Sequence, residues 1–377
     1  MQADIVVIAI NARHSHCSHA GRTLLANLGS MAERAALMEF DLETQPLQVV
    51  ARVLEAAPRV AGFSVYLWNR RLAGESLTLL QRIAPQISIV LGGPEIVPEG
   101  AAEWDGLADA LICGEGETAF RNWCANRLGQ KQTSGTRPAT PELIINREGE
   151  DPDTLALPYA LYSNDDLGRR VVYVESTRGC PHHCLYCTSC GTHWRRFPTD
   201  RLFAAFESLL ERGLRDFRFL DRTFNADESH AVTVLDFFLQ RLPKGLRIHL
   251  ELTPSRLGAP LLERLAAFPS DALHLEVGIQ TLDEKVARHI GRRESRDEVL
   301  DTLHVLLDET RAALHADLIF GLPGEDEGSF AAGFDRLVGL GVPEIQINRL
   351  KGLPGTPLLG LPALAGAFSP LPPYDVL

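Results

Sequence analysis

Twice along the chain, short apolar runs alternate with segments whose apolar residues recur at helical spacing. The first series contains IVVIAI (5–10), ALMEFD (36–41), VAGFSVYLW (60–68), ISIVLGG (87–93) and ADALICG (108–114). RTLLANLGSMAE, LQVVARVLEAA, RLAGESLTLLQRIA and ETAFRNWCANRL are its helical segments. Continuous apolar strands joined by helices form parallel sheets covered on both faces. The second series contains VVYVEST (171–177), DFRFLD (216–221), RIHLELT (247–253), ALHLEVGI (272–279), LHADLIFG (314–321) and EIQINR (344–349). Six such units are too few for a closed eight-strand barrel, which needs about 250 residues, so a partial barrel is expected. Between the series, GQKQTSGTRPATPE is polar and rich in turn-forming residues.

These patterns predict an α/β chain in four parts. Residues 1–128 form a Rossmann-like domain and 129–165 a linker. Residues 166–350 form a partial (β/α)6 barrel, and 351–377 a proline-rich extension with no evident partner element. A length of 377 residues agrees with two domains. With 45% hydrophobic and 23% charged residues, each half is able to bury a core. No apolar run reaches membrane-spanning length. The N-terminal MQADIVVIAINARH has no basic region ahead of its apolar stretch, which reads as a buried strand and not as a signal peptide. A cytoplasmic protein is expected. The net charge of −12 argues against a general attraction for nucleic-acid phosphates, with RRVVY and HWRRF as short basic candidates.

Four of the seven cysteines fall within Cys180–Cys190. Crowding of this kind, without a secretion signal, favours metal binding over disulfides. TRGCPHHCLYC places Cys180, Cys184 and Cys187 at C-x3-C-x2-C spacing directly after a strand. Three thiolates in one short loop can hold three irons of a 4Fe–4S cluster and leave the fourth iron free for another ligand. The alternative is a zinc site completed by Cys190. Four ligands packed so tightly, with no second half-site, suit tetrahedral zinc poorly.

On these residues the second half resembles the radical S-adenosylmethionine superfamily. The resemblance implies a fourth iron chelated by S-adenosylmethionine, whose reductive cleavage gives a 5′-deoxyadenosyl radical. It implies an external electron donor of flavodoxin or ferredoxin type. Tyr186, before the third cysteine, would lie beside the adenine. In FLDRTFN, Asp221 stands where the family usually has a glycine-rich motif that meets the methionine amino group. In ELTPSR, Glu251 would approach the ribose. LEVGIQTLDEKVARHIGRR resembles a pattern of the coproporphyrinogen-oxidase branch, in which Gln280 and Arg292 would hold the cofactor. DLIFGLPGE resembles the loop that packs on the adenine.

The first half resembles the cobalamin-binding domain fused to many such enzymes. Ligands of open parallel sheets bind outside the carboxyl ends of the strands. There VAGFSVYLWN offers Ser64, Tyr66 and Trp68, VLGGPE offers Gly92 and Gly93, and CGEGE offers Gly114 and Glu115. Ser64 and the two glycines match the usual family positions, and Trp68 is a candidate lid for the lower corrin face. The family element carrying a cobalt-ligating histidine is absent, and NARHSHCSHAG stands in its place. His14, His16 and His19 in that stretch are candidate metal ligands, or else polar residues lining a ligand pocket. As a whole the chain resembles an uncharacterised cobalamin-dependent radical branch, through NARHSH, GFSVYLWN, FLDRTFN and LKGLPGTPL; members continue beyond PPYDVL as a helical region.

The resemblance implies methyl transfer to an unactivated carbon of a small-molecule or peptide substrate. Cobalamin-dependent cyclisation or rearrangement is the alternative. A tRNA methylthiotransferase-like activity would need a second cluster from Cys17, Cys113 and Cys124, and a non-enzymatic cobalamin or redox sensor would need an effector element.

Overall fold

The computed structural model describes residues 2–130, 138–255 and 257–377. The chain divides into two compact units, Met1–Val172 with Asp200–Arg212, and Tyr173–Thr199 with Gly213–Leu377.

The first unit is built on a six-stranded parallel sheet. Its strands are β1 (Ile5–Asn11), β2 (Ala35–Asp41), β3 (Val60–Ser64), β4 (Ser88–Gly92), β5 (Ala110–Cys113) and β6 (Glu142–Ile145), in the order β2-β1-β3-β4-β5-β6. The helices are α1 (His19–Ala26), α2 (Pro46–Glu55), α3 (Arg70–Ile83), α4 (Glu117–Gly129) and the short α5 (Asn164–Arg169). Successive residues of β1 feed opposite faces. Val6, Ile8 and Ile10 join a core with α2 and α3, whereas Ile5 and Val7 join a core with α4. Burial of side chains this size contributes about 1.5–3 kcal/mol each. The order reverses between β1 and β3, which creates the crevice where open α/β sheets take their ligands.

Two expectations change here. The helix expected from Arg22 begins at His19, where the Ser18 side chain accepts from the Gly21 N–H. It stops at Ala26, and a 3-10 turn (Gly29–Arg34) replaces its second half. The stretch read as a linker supplies β6, whose Glu142–Ile145 pairs with Ala110–Cys113. Four residues of strand after a polar run are too short a signal to outweigh the composition. Residues 131–137 of that stretch lie outside the described residues.

The second unit carries β7 (Val172–Val174), the small ribbon β8 (Thr177–Arg178) and β9 (Arg195–Arg196), then β10 (Asp216–Phe219), β11 (Arg247–Leu252), β12 (Leu273–Gln280), β13 (Ala313–Phe320) and β14 (Glu344–Arg349). The large sheet runs β14-β13-β12-β11-β10-β7, with parallel pairing from β10 to β14. Helices α6 (Thr199–Glu211), α7 (Glu228–Leu239), α8 (Ala259–Ala267), α9 (Glu284–His289), α10 (Arg296–Glu309) and α11 (Glu327–Leu340) follow the strands, and nearly all of α6 groups with the first unit. In β12, Leu273, Leu275, Val277 and Ile279 are buried, while His274, Glu276, Gly278 and Gln280 are half-buried on the other face. One face of the partial barrel is therefore polar.

The C-terminal segment does find partners. Leu358, Leu361, Leu364, Phe368 and Val376 pack with Val286, Ile290, Ile319, Leu350 and Tyr186, and the Leu358 N–H donates to the Leu185 carbonyl. No helix among the described residues is long and apolar enough to cross a membrane.

Candidate functional site

The cysteine loop leaves β8 at Gly179, which adopts φ +83. A Cβ there would lie 2.1 Å from the His193 carbonyl oxygen, so the turn admits only glycine. The Cys180 N–H donates to Thr192 Oγ1 at 3.0 Å, and Ser189 N–H reaches Cys187 Sγ at 3.4 Å. Cys180 and Cys184 are buried and Cys187 half-buried. Burial pushes the Cys187 thiol up, against the Ser189 N–H and the Arg222 charge.

The number and placing of the cysteines bear on what they would hold. Thiolates sharing one zinc ion sit about 3.8 Å apart, given bonds of about 2.3 Å. Among the described residues, one group of three His, Cys, Asp or Glu side chains brings its donor atoms within 4.8 Å of one another, and it contains no cysteine. Three thiolates on one short loop suit a cluster, in which each takes a different iron.

Several residues singled out in the sequence converge near the loop. Arg292 lies beside Cys184 and Tyr186, donates to the Gly278 carbonyl at 2.6 Å and meets Glu294 at 3.4 Å. Burial, then the neighbouring Cys184, pushes the Tyr186 hydroxyl well up. Gln280 has φ +72 at the bulge where β12 slips against β13. A glutamine in this region is strained, and such strain concentrates at functional sites. Burial pushes Glu251 up to about 7, with Arg222 opposing.

Asp221 is placed differently. Its carboxylate accepts from the Ser176 N–H at 2.9 Å and from the Ser176 and Thr177 hydroxyls at 2.6 Å each. It is 1% exposed, and burial outweighs these donors to raise it to about 6. Asp221 pins the strand entering the cysteine loop.

Sequence reading missed the residues that carry this network. Thr223 Oγ1 lies 3.6 Å from Cys180 Sγ. Asn225 donates to the carbonyls of Thr253 and Ser255, and Thr253 donates to Glu294 at 3.1 Å. Arg222, between Cys187 and Glu251, was hidden inside FLDRTFN. On the polar barrel face His249 bonds Glu276 at 3.1 Å, and Asn348 donates to Asp317 at 3.4 Å. The His249 bond holds Glu276 low, while burial and the Glu276 carboxylate push Asp317 up. Arg256 of ELTPSR lies outside the described residues.

In the first unit, the ends of β3, β4 and β5 bring together Ser64, Gly92, Gly93 and Gly114. Gly93 has φ +108, and a Cβ would fall 2.4 Å from the Val65 oxygen, so the fold itself demands glycine. Gly92 has no such reason: a Cβ there meets only the Ile112 oxygen, at 3.7 Å. Bare backbone at the crevice is what a bulky ligand needs. Asn69, fully buried, holds the turn: it accepts from the Tyr66 N–H at 2.8 Å and donates to the carbonyls of Ile10 and Ser64. Tyr66 and Trp68 stack at 4.4 Å, and the Trp68 indole N–H donates to the Ile10 carbonyl. Trp68 remains 48% exposed, a flat apolar plate above the strand ends. Glu115 Oε2 accepts from the Glu150 N–H at 2.9 Å.

The three histidines after β1 do not converge. His14 is exposed near Asp41, His16 bridges to Val171, and His19 is buried against the Tyr162 hydroxyl at 3.1 Å. Cys17, Cys113 and Cys124 are also apart: Cys17 bonds Asp166, and the other two lie in the cores on opposite faces of the sheet. Burial pushes each of their thiols up, to about 11 or 12.

Comparison with known proteins agrees with both halves. Residues 174–337 match the radical SAM superfamily, and residues 8–123 match the B12 binding domain. The chain carries a B12-binding domain followed by a radical SAM domain. A 2-(S-pantetheinyl)-carbapenam-3-carboxylate methyltransferase from Streptantibioticus cattleyicolor is 27% identical over 85% of this chain and 52% of its own length. The cobalamin-dependent radical SAM methyltransferase TokK from Streptomyces tokunonensis is 26% identical over 89% and 53%. The chain thus spans about half the length of these curated relatives. Its fold matches that of the radical S-adenosylmethionine methyltransferase TsrM from Kitasatospora setae, solved with cobalamin and a [4Fe-4S] cluster. That match has TM-score 0.72 and 17% identity, covering 95% of this chain and 74% of that one.

Proposed function

We propose that this chain is the catalytic core of a cobalamin-dependent radical S-adenosylmethionine methyltransferase, acting on an unactivated carbon of a small molecule or peptide. The observation that carries this reading is the presence, in one chain, of a B12-binding domain with a bare-backbone crevice and a radical SAM barrel with an open three-cysteine loop. When bound, the cluster and S-adenosylmethionine supply one-electron radical chemistry, and cobalamin supplies the methyl group.

The chain's own residues bind and orient these groups. Cys180, Cys184 and Cys187 hold three irons. Tyr186, Gln280 and Arg292 position S-adenosylmethionine, with Arg292 fixed by Gly278 and Glu294. Glu251 faces the ribose, half-charged near neutral pH because burial raises it. Asp221 acts at one remove by fixing Ser176 and Thr177. Ser64, Gly92, Gly93, Gly114 and Glu115 cradle cobalamin, and the Tyr66–Trp68 plate covers a corrin face without a histidine ligand. A flavodoxin- or ferredoxin-type donor delivers the electron in a reducing, cytoplasmic setting.

Anaerobic reconstitution followed by iron and sulfide analysis tests the cluster. Cys180→Ala, Cys184→Ala and Cys187→Ala are each expected to abolish thiolate–iron absorption and formation of 5′-deoxyadenosine. An intact cluster in all three overturns the assignment. Titration with hydroxocobalamin tests the other half. Gly92→Ala is expected to weaken binding by more than about tenfold while leaving the fold intact, since its methyl group meets only the Ile112 oxygen. Unchanged affinity would remove the crevice from the site.

A further inference from the structure

The barrel's polar face ends in a group that the proposed chemistry does not use. His274 is the second residue of β12, His315 the third of β13 and Glu344 the first of β14. In register, His315 stands opposite Glu344, and His274 opposite Ala313 one pleat before His315. All three lie near the amino ends of their strands, away from the carboxyl ends that carry Gln280 and the loop after β13. One donor atom from each lies within 4.8 Å of the others.

The two imidazoles are poorly satisfied without a further ligand. Nε2 of His274 and Nε2 of His315 are both buried and form no hydrogen bond. His315 is 7% exposed, and its Nε2 stands 3.5 Å from Asp317 Oδ1, short of hydrogen-bond alignment. The His274 ring is fixed by stacking on His249 at 4.7 Å, and His249 is itself held by Glu276 at 3.1 Å. Buried polar atoms in native proteins are nearly always paired, so two imidazoles with an orphan nitrogen each, grouped with a carboxylate, call for an occupant.

The strand they reach has its own need for one. In β14 only Ile345 is half-buried; the other five residues are exposed, Ile347 by 49%. A bond across β12, β13 and β14 would hold this edge where packing does not.

We propose that His274, His315 and Glu344 bind a divalent zinc-type ion that staples the open edge of the barrel. Two imidazole nitrogens and one carboxylate oxygen are a donor set for zinc and its first-row neighbours, whereas magnesium and calcium take oxygen ligands. Bonds of about 2.0–2.1 Å require donors about 3.3 Å apart, so the site closes by side-chain rotation, chiefly of exposed Glu344. The proposal is independent of cobalamin and of the iron–sulfur cluster.

The test uses the full chain, cluster-reconstituted, titrated with zinc against a competing chelator, together with its C180A/C184A/C187A variant to remove adventitious binding by sulfur. One zinc per chain is expected in both, with a zinc-edge absorption spectrum showing only nitrogen and oxygen neighbours. Glu344→Gln, at an exposed strand end that does not endanger folding, and His315→Ala are each expected to weaken zinc binding by more than about tenfold, as loss of even an outer partner does in metal sites. Zinc should also raise the melting temperature of the cysteine variant, and this gain should vanish with Glu344→Gln added. Zinc that disappears with the cysteines, a sulfur-containing spectrum, or affinity unchanged by Glu344→Gln would each overturn the site.

Discussion

Two buried clusters, one in each unit, handle charge in opposite ways. In the first, Arg22 bonds Glu39 and Asp166 at 2.9 Å each, and Arg170 bonds the same two acids at 2.8 Å. Arg22 also lies over the Tyr162 ring at 4.5 Å. Each acid has both cations, so although burial opposes it, Glu39 and Asp166 are held below the usual carboxylate range. In the second, Asp221, Glu251 and Asp317 are all pushed up by burial, and His274 and His315 have orphan ring nitrogens. Carboxylates paired with cations serve the fold; the raised acids and orphan imidazoles of the barrel face are held ready for something else.

The contrast is sharpest under mutation. Arg22→Met leaves two buried carboxylates short of a partner and is expected to cost about 3–5 kcal/mol. Glu276→Gln, on the barrel face, should cost less than about 1.5 kcal/mol, because it also relieves the Asp317 pair. Urea unfolding measures both, and equal costs would break the comparison.

Next in size is a difference of sign with pH. Asp166 and Glu39, depressed in the fold, give stability that is present above about pH 4 and lost as pH falls below it. Asp221, raised to about 6, works the other way. Its contribution is present below about pH 4 and lost as pH rises to about 6, by at most roughly 3 kcal/mol. Hydrogen exchange mapped onto β1–β5 and onto β10–β13 across pH 3–7 should show protection rising in the first and falling in the second. Parallel trends would refute the assignment.

The smallest expected effect is that of Arg170→Lys, which keeps the charge but loses the planar group whose Nη1 reaches both acids while Nε and Nη2 donate to the carbonyls of His14 and His16. About 1 kcal/mol is expected, read as a small shift in melting temperature. No loss at all would mean that Arg22 alone holds the pair.

What was legible in the sequence follows distance along the chain. The cysteine loop spans eight residues, so its chemistry shows in a single window. β14 was read to the residue because EIQINR sits between clear turn signals. The barrel's polar face was not read, since His249, Glu276, Asp317 and Asn348 come from four strands and meet only through register. Asn69 was not singled out, and its hydrogen bond to the Ile10 carbonyl exists only once β1 and β3 are neighbours. β6 and the packing of the C-terminal segment on Tyr186 were masked by proline and polar residues whose composition resembles loop. Asp221 shows the converse failure, since its position in a motif suggested a ligand contact that its geometry spends on Ser176 and Thr177.

Nearly all of α6 groups with the first unit, although it follows the cysteine loop in the chain. Arg201 donates to the carbonyls of Asp153 and Leu155, and Arg212 to that of Tyr159. During synthesis, then, the amino-terminal unit is not complete until residue 212 has left the ribosome, by which time Tyr173–Thr199 has been drawn out as a loop tethered at both ends. The three thiols therefore leave the ribosome before β10–β14 do. Cutting the chain at 128 or at 172 to isolate the amino-terminal unit removes this late segment, and such fragments should aggregate where a fragment ending after 212 stays in solution.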